Sequence, residues 1–126
     1  MYEFSTNKQK NQISRICTIT VYNPDKKQCN EDFLHTADMS FIDTNKLKDF
    51  SIRWCAVSNN LLQDFCNFGD TLYIKIGDEL IDGKWVVHDR MNKRFTNYVD
   101  LLSDKKFNKR INKRKSIEIY NLSRYE

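Results

Sequence analysis

From Ile16 to Tyr22 the chain reads ICTITVY, an alternating run dense in β-branched residues. Side chains of a strand point to opposite faces in turn, and β-branched groups pack well on a pleated surface, so this run reads as a strand. The pattern recurs in SIRWCAVS (Ser51 to Ser58), TLYIKI (Thr71 to Ile76), KWVVHD (Lys84 to Asp89), NYVDLL and SIEIYNL. Turn chemistry separates the bursts: Asn23-Pro24-Asp25 closes the first, and Asp82-Gly83 precedes KWVVHD. NNLLQDFCNF instead spaces Leu61, Leu62, Phe65 and Cys66 as a helix does, with Asn59 or Asn60 to cap it and Gly69-Asp70 to end it. About six strands and one short helix predict a mainly β domain, closed as a compact six-stranded β-barrel rather than a helical bundle or a doubly wound sheet.

With 126 residues and neither repeats nor a linker, a single domain over 1–126 is expected, with 1–14 as a flexible N-terminal segment. Hydrophobic content of 40% and aromatic content of 13% argue for a folded chain, and a net charge of +4 is too mild to name a partner. No apolar run reaches membrane-spanning length, and MYEFSTNKQKNQ lacks the apolar core of a signal peptide. No membrane span is therefore expected. The compartment stays open: the cell envelope or exterior if an export signal has been removed, the cytoplasm or a virion otherwise. Cys17, Cys29, Cys55 and Cys66 form no CxxC pair and only two histidines are present, which argues against a zinc site. Cys17 and Cys55 lie in apolar runs, where free cysteine behaves as a small buried hydrophobe; an even count leaves a disulfide open.

HDRMNKRFTNYVDLL (His88 to Leu102) holds the chemistry. Asp89 and Asp100 stand there among apolar and positively charged residues. Under strict alternation Asp89 shares a face with Trp85 and Val87, beside apolar groups that raise a carboxyl pKa, while His88 points the other way. Asp100 shares a face with Tyr98 and Leu102. Two such acids suit general acid–base chemistry. The plainer reading is a structural ion pair with Arg90, Lys93 or Arg94, which would lower the pKa instead. Trp54 and Trp85 read as core before they read as sugar platforms. The long stretch from Asn23 to Phe50, with HTADMSFID inside it, is placed beside the site. KKFNKRINKRK (Lys105 to Lys115) has seven basic residues and no acid, and reads as a solvated loop. Phe107 and Ile111, four apart, also allow a short amphipathic helix, and the charge offers a foothold for an anionic polymer, glycan or nucleic acid.

In order, TVYNPDKKQCNEDFLHTADMSFID, RWCAVSNNLL, FGDTLYI and GKWVVHDRMNKRFTNYVDLL resemble the three-aspartate domain of the double-psi β-barrel superfamily. Relatives of that domain include rare lipoprotein A, the expansins and the barrel of membrane-bound lytic transglycosylase A. The likeness extends from Thr20 to about Leu102 and is with small proteins of this type from Bacteroides-like bacteria, their mobile elements and phages. It implies a double-psi barrel that cuts peptidoglycan as a lytic transglycosylase. Asp100 matches the catalytic acid and Asp89, eleven residues earlier, its supporting carboxylate. Three positions depart from the family. Ser58 stands where a third aspartate usually follows the AV of CAVS. The run Met91 to Asn97 replaces a glycine-rich loop, and Thr36-Ala37-Asp38-Met39 replaces threonine, a small residue and glycine. Thr36, Asp38, Ser58 and Asn92 are the expected substrate-binding groups. No cofactor and no metal are implied, and the partner is peptidoglycan or a related glycan. The missing third acid keeps an alternative open: a barrel that binds a cell-wall glycan or a protein without cutting.

Overall fold

The computed structural model describes residues 13–25 and 32–124. Its strands are β1 (Ser14–Tyr22), β2 (Trp54–Val57), β3 (Thr71–Ile74), β4 (Gly83–Arg90), β5 (Tyr98–Leu102) and β6 (Arg114–Asn121). They hydrogen-bond in the order β1-β5-β2-β4-β3-β6, and β6 returns to β1 to close a barrel. The β1–β5 and β2–β4 pairings are parallel and the others antiparallel. Closure leaves no unpaired strand edge, which is how a small mixed sheet avoids edge-to-edge association. The expected mainly β, six-stranded barrel is the fold observed.

Among the described residues three α-helical pieces accompany the strands: α1 (Thr44–Leu47), α2 (Asn59–Asp64) and α3 (Asn108–Ile111). The expected helix is α2; α1 and α3 are single turns. Lys105–Phe107 forms a 3₁₀ turn that leads into α3, so the start of the basic stretch is helical rather than a loop. The reason is apolar: Ile111 is buried and Phe107 packs on the core. Lys105 and Arg110 pair with Asp25 and Asp78. Of the segment expected to be flexible, 1–12 lie outside the described residues, as does Cys29, and Ser14 already belongs to β1.

Alternation fills the barrel. Cys17, Ile19 and Val21 of β1 point inward, as do Cys55 and Val57 of β2, Leu72 and Ile74 of β3, Trp85 and Val87 of β4, and Val99 and Leu101 of β5. Each fully buried side chain of this size contributes about 1.5–3 kcal/mol relative to exposure. Cys17, Cys55 and Cys66 are buried. The Trp85 indole N–H donates to the Ile81 carbonyl at 2.9 Å, so the largest core side chain leaves no polar atom unpaired. A second cluster lies on the outer face of the barrel: Ile42, Leu47 and Leu102, with Tyr22, Ile52 and Trp54 packed against them. It fastens the segment between β1 and β2 to the sheet. That attachment brings the long connection over the residues that matter next.

Candidate functional site

One irregularity in β4 decides where Asp89 points. Cys55 pairs with Val87, yet the next residue of β2, Ala56, pairs with Asp89, so His88 is an extra residue in the ladder. A bulge of this kind leaves one residue unpaired and re-aims the side chains beside it. Strict alternation would send Asp89 after Trp85 and Val87 into the core. The bulge turns it outward, where it meets Tyr22 of the outer cluster. His88 lies outside as well, its ring 4.4 Å from that of Trp54. The expected common face for Trp85, Val87 and Asp89 is thereby corrected, and so is the expected opposition of His88 and Asp89.

On its other side Ala56 pairs with Asp100 of β5, and Asp100 pairs with Thr20 of β1. Asp89, Ala56, Asp100 and Thr20 thus form a row across four neighbouring strands. Adjacent strands lie about 4.8 Å apart, so the two aspartate backbones are separated by about 10 Å, with only a methyl group between them. Over this row opens a cleft of about 690 Å³. Phe33 and His35 of the long connection line one part of it, and Arg90, Met91, Asn92, Arg94 and Phe95 another.

The two carboxylates are held differently. Asp100 accepts a hydrogen bond at Oδ1 from the Thr20 hydroxyl at 2.7 Å, and among the described residues no donor reaches its Oδ2. Burial pushes its pKa up to about 6; the Thr20 bond opposes that rise and the charge of Asp89 adds to it. Asp89 is surrounded by donors. The Tyr22 hydroxyl reaches Oδ2 at 2.9 Å, and the amides of Ala37 and Arg90 reach Oδ1, each at 2.9 Å. Burial first, then the charge and bond of Asp89, push the Tyr22 phenol well above its ordinary pKa, so it keeps the proton it donates. Among the described residues neither aspartate forms an ion pair, so the pairing that Arg90, Lys93 and Arg94 offered is not made.

The other expected site residues divide. Asn92 lines the cleft beside both aspartates. Thr36 and Asp38 sit behind the cleft lining. Thr36 is buried and donates to Asp38 Oδ1 at 2.6 Å, the Ser40 amide donates to the same oxygen, and His88 Nδ1 lies 2.6 Å from Asp38 Oδ2. Burial pushes the Asp38 carboxyl up, but these bonds outweigh it and bring the pKa down to about 2. The cluster clamps the turn on which Ala37 presents its N–H to Asp89, so both residues position a donor. Ser58 is the miss. It is fully buried at the start of α2, its hydroxyl donates to Asn60 Oδ1 at 2.7 Å and accepts from the Tyr98 amide at 3.0 Å, and it has no surface to offer a substrate.

Thr20, Tyr22 and Ala56 were not singled out from the sequence. Thr20 and Tyr22 alternate with Ile19 and Val21 in ICTITVY, so the polar face of that strand was visible; its parallel pairing with β5 was not. Among the described residues no group of three or more histidine, cysteine, aspartate or glutamate side chains is placed to hold a metal ion. A scan of the chain against protein-family models and a comparison with curated proteins both find no match.

Proposed function

We propose that the chain is a double-psi barrel of the three-aspartate type and that it cleaves peptidoglycan glycan as a lytic transglycosylase, with Asp100 as the acid and Asp89 as its supporting carboxylate. The observation that carries this reading is the asymmetry of the pair across Ala56. One half-buried carboxyl has a raised pKa and, among the described residues, an oxygen without a donor, and the other is ringed by three donors in the same cleft. The first has the character of a general acid near neutral pH; the second suits an electrostatic partner.

The chemistry follows from those roles. Protonated Asp100 gives its proton to the glycosidic oxygen as the bond from that oxygen to the anomeric carbon breaks. Positive charge grows on the sugar ring, and Asp89 stabilises it. The Asp100 carboxylate then takes the proton of the sugar's own 6-hydroxyl, whose oxygen closes on the anomeric carbon. An anhydro ring results, Asp100 regains its proton, and no water is consumed. One carboxyl serves both steps, unlike glycoside hydrolysis, in which two carboxyl groups flank the bond and share the work.

Mass analysis of purified cell wall after incubation with the protein tests this directly. Anhydro-ended fragments are expected. Asp100→Asn should fold and still bind wall while losing at least about a hundredfold in rate, and Asp89→Asn should lose less. Intact wall that sediments with the protein and gains no anhydro ends would favour the second reading, a glycan-binding barrel that does not cut. That reading draws support from Ser58, a serine where the resembled family carries its third acid.

A further inference from the structure

The cleft also carries positive charge that the cleavage step leaves unused. Arg90, at the end of β4, and Arg94, in the turn before β5, both line it, and both are exposed. Among the described residues neither guanidinium has a carboxylate partner. The acids of the described lining are engaged elsewhere. Asp100 is held by Thr20 and Asp89 by Tyr22 and two amides, while Asp32, the remaining acid of the lining, lies 2.8 Å from His35 Nδ1. The Arg94 guanidinium rests instead over the Phe95 ring, 4.7 Å from its centroid, and Phe95 leans on Tyr98 at 5.0 Å. Such a prop orders the guanidinium plane and leaves its N–H fork free. Two free forks in a cleft with acids on its floor match a ligand with a planar anion set apart from its reacting bond.

We propose that Arg90 and Arg94 recognise a carboxylate projecting from the glycan beside the cleaved bond, so that the cleft selects an acidic glycan over a neutral one. This rests on the glycan reading above and adds a specificity element to it. The carboxylate has two possible sources, the peptide branch of the wall polymer or the lactyl group of the sugar once that branch is removed. The arginines stand off the catalytic step: Arg90 touches Asp89 through its amide, which a side-chain substitution leaves in place.

Calorimetric titration of the full chain carrying Asp100→Asn, which spares the ligand from cleavage, tests the proposal. The probes are peptide-bearing wall fragments, fragments stripped of peptide, both kinds after chemical amidation of their carboxyl groups, and a neutral N-acetylglucosamine oligomer of equal length. An acidic fragment should bind at least about tenfold more tightly than its amidated form, and whichever fragment does so names the source. Arg90→Gln with Arg94→Gln should reduce that affinity to the amidated level, whereas Lys93→Gln, a charge outside the cleft lining, should not. Equal affinity for acidic and amidated fragments, or an unaltered double variant, overturns the arginine proposal and leaves the glycan reading standing. If neither the fragments nor the neutral oligomer binds, the glycan reading fails and this proposal fails with it.

Discussion

Two polar regions lie along β5, and they treat their side chains in opposite ways. At its start Ser58, Asn60 and Asn97 close on one another. Asn60 Nδ2 donates to Asn97 Oδ1 at 2.9 Å, Asn60 Oδ1 accepts from both Ser58 Oγ and the Asn97 amide, and Arg15 joins Asn97 to Asp64. Asn97 takes a left-handed φ of 57°, a conformation asparagine tolerates better than most residues. Three residues later Asp100 has one donor on one oxygen and opens on a cleft. A buried polar group whose partners are all supplied by the fold builds structure, whereas one left partly unsatisfied keeps capacity for a ligand or a proton. Ser58 directly follows β2 and Asp100 lies within β5, and in sequence each is a polar residue next to apolar strand residues. Their hydrogen bonds separate them.

Asp100→Asn should sharpen this contrast most. The carboxyl has a pKa of about 6 in the fold against an ordinary 3.8, so the folded state holds the proton more tightly than the unfolded chain does. The stability this carries is complete below about pH 3.8 and is lost as pH rises through 6. Removing the titration should therefore stabilise the protein at pH 8 by as much as about 3 kcal/mol and change little at pH 4, read by denaturant unfolding at both pH values. Loss of stability at pH 8 would place Asp100 with the scaffold. Ser58→Ala should move the other way by a smaller amount. It leaves the half-buried Tyr98 amide without its acceptor and should cost about 1–2 kcal/mol, with glycan binding by the folded protein unchanged. Normal stability with impaired binding would erase the distinction between the two regions.

Much of the architecture was legible in local pattern. ICTITVY and KWVVHD lie inside β1 and β4, WCAV of SIRWCAVS is β2, TLYI of TLYIKI is β3, YVDLL and SIEIYN belong to β5 and β6, and NNLLQD of NNLLQDFCNF is α2, because alternation and helical spacing are properties of neighbours along the chain. Asp89, Asp100 and Asn92 stood out in the sequence, and all three line one cleft. The bulge at His88 was not, since one extra residue in a ladder depends on the partner strand, and it reverses the face of Asp89. The burial of Ser58 was hidden for a related reason. Its partners, Asn60 and Tyr98, include one that lies 40 residues away, and only the assembled barrel shows its hydroxyl to be consumed. Thr20 and Tyr22 became visible once β1 was seen to pair in parallel with β5.

The most direct test of the account is the titration of Asp100 itself. The side-chain carboxyl carbon can be followed by ¹³C NMR from acid to neutral pH in the full chain, with Asp100→Asn to assign the signal. Burial between the outer cluster and the cleft, with Asp89 one strand beyond Ala56, predicts a midpoint near 6. A midpoint near the ordinary 3.8 would show a solvated or ion-paired carboxylate, and Asp100 would then be no general acid.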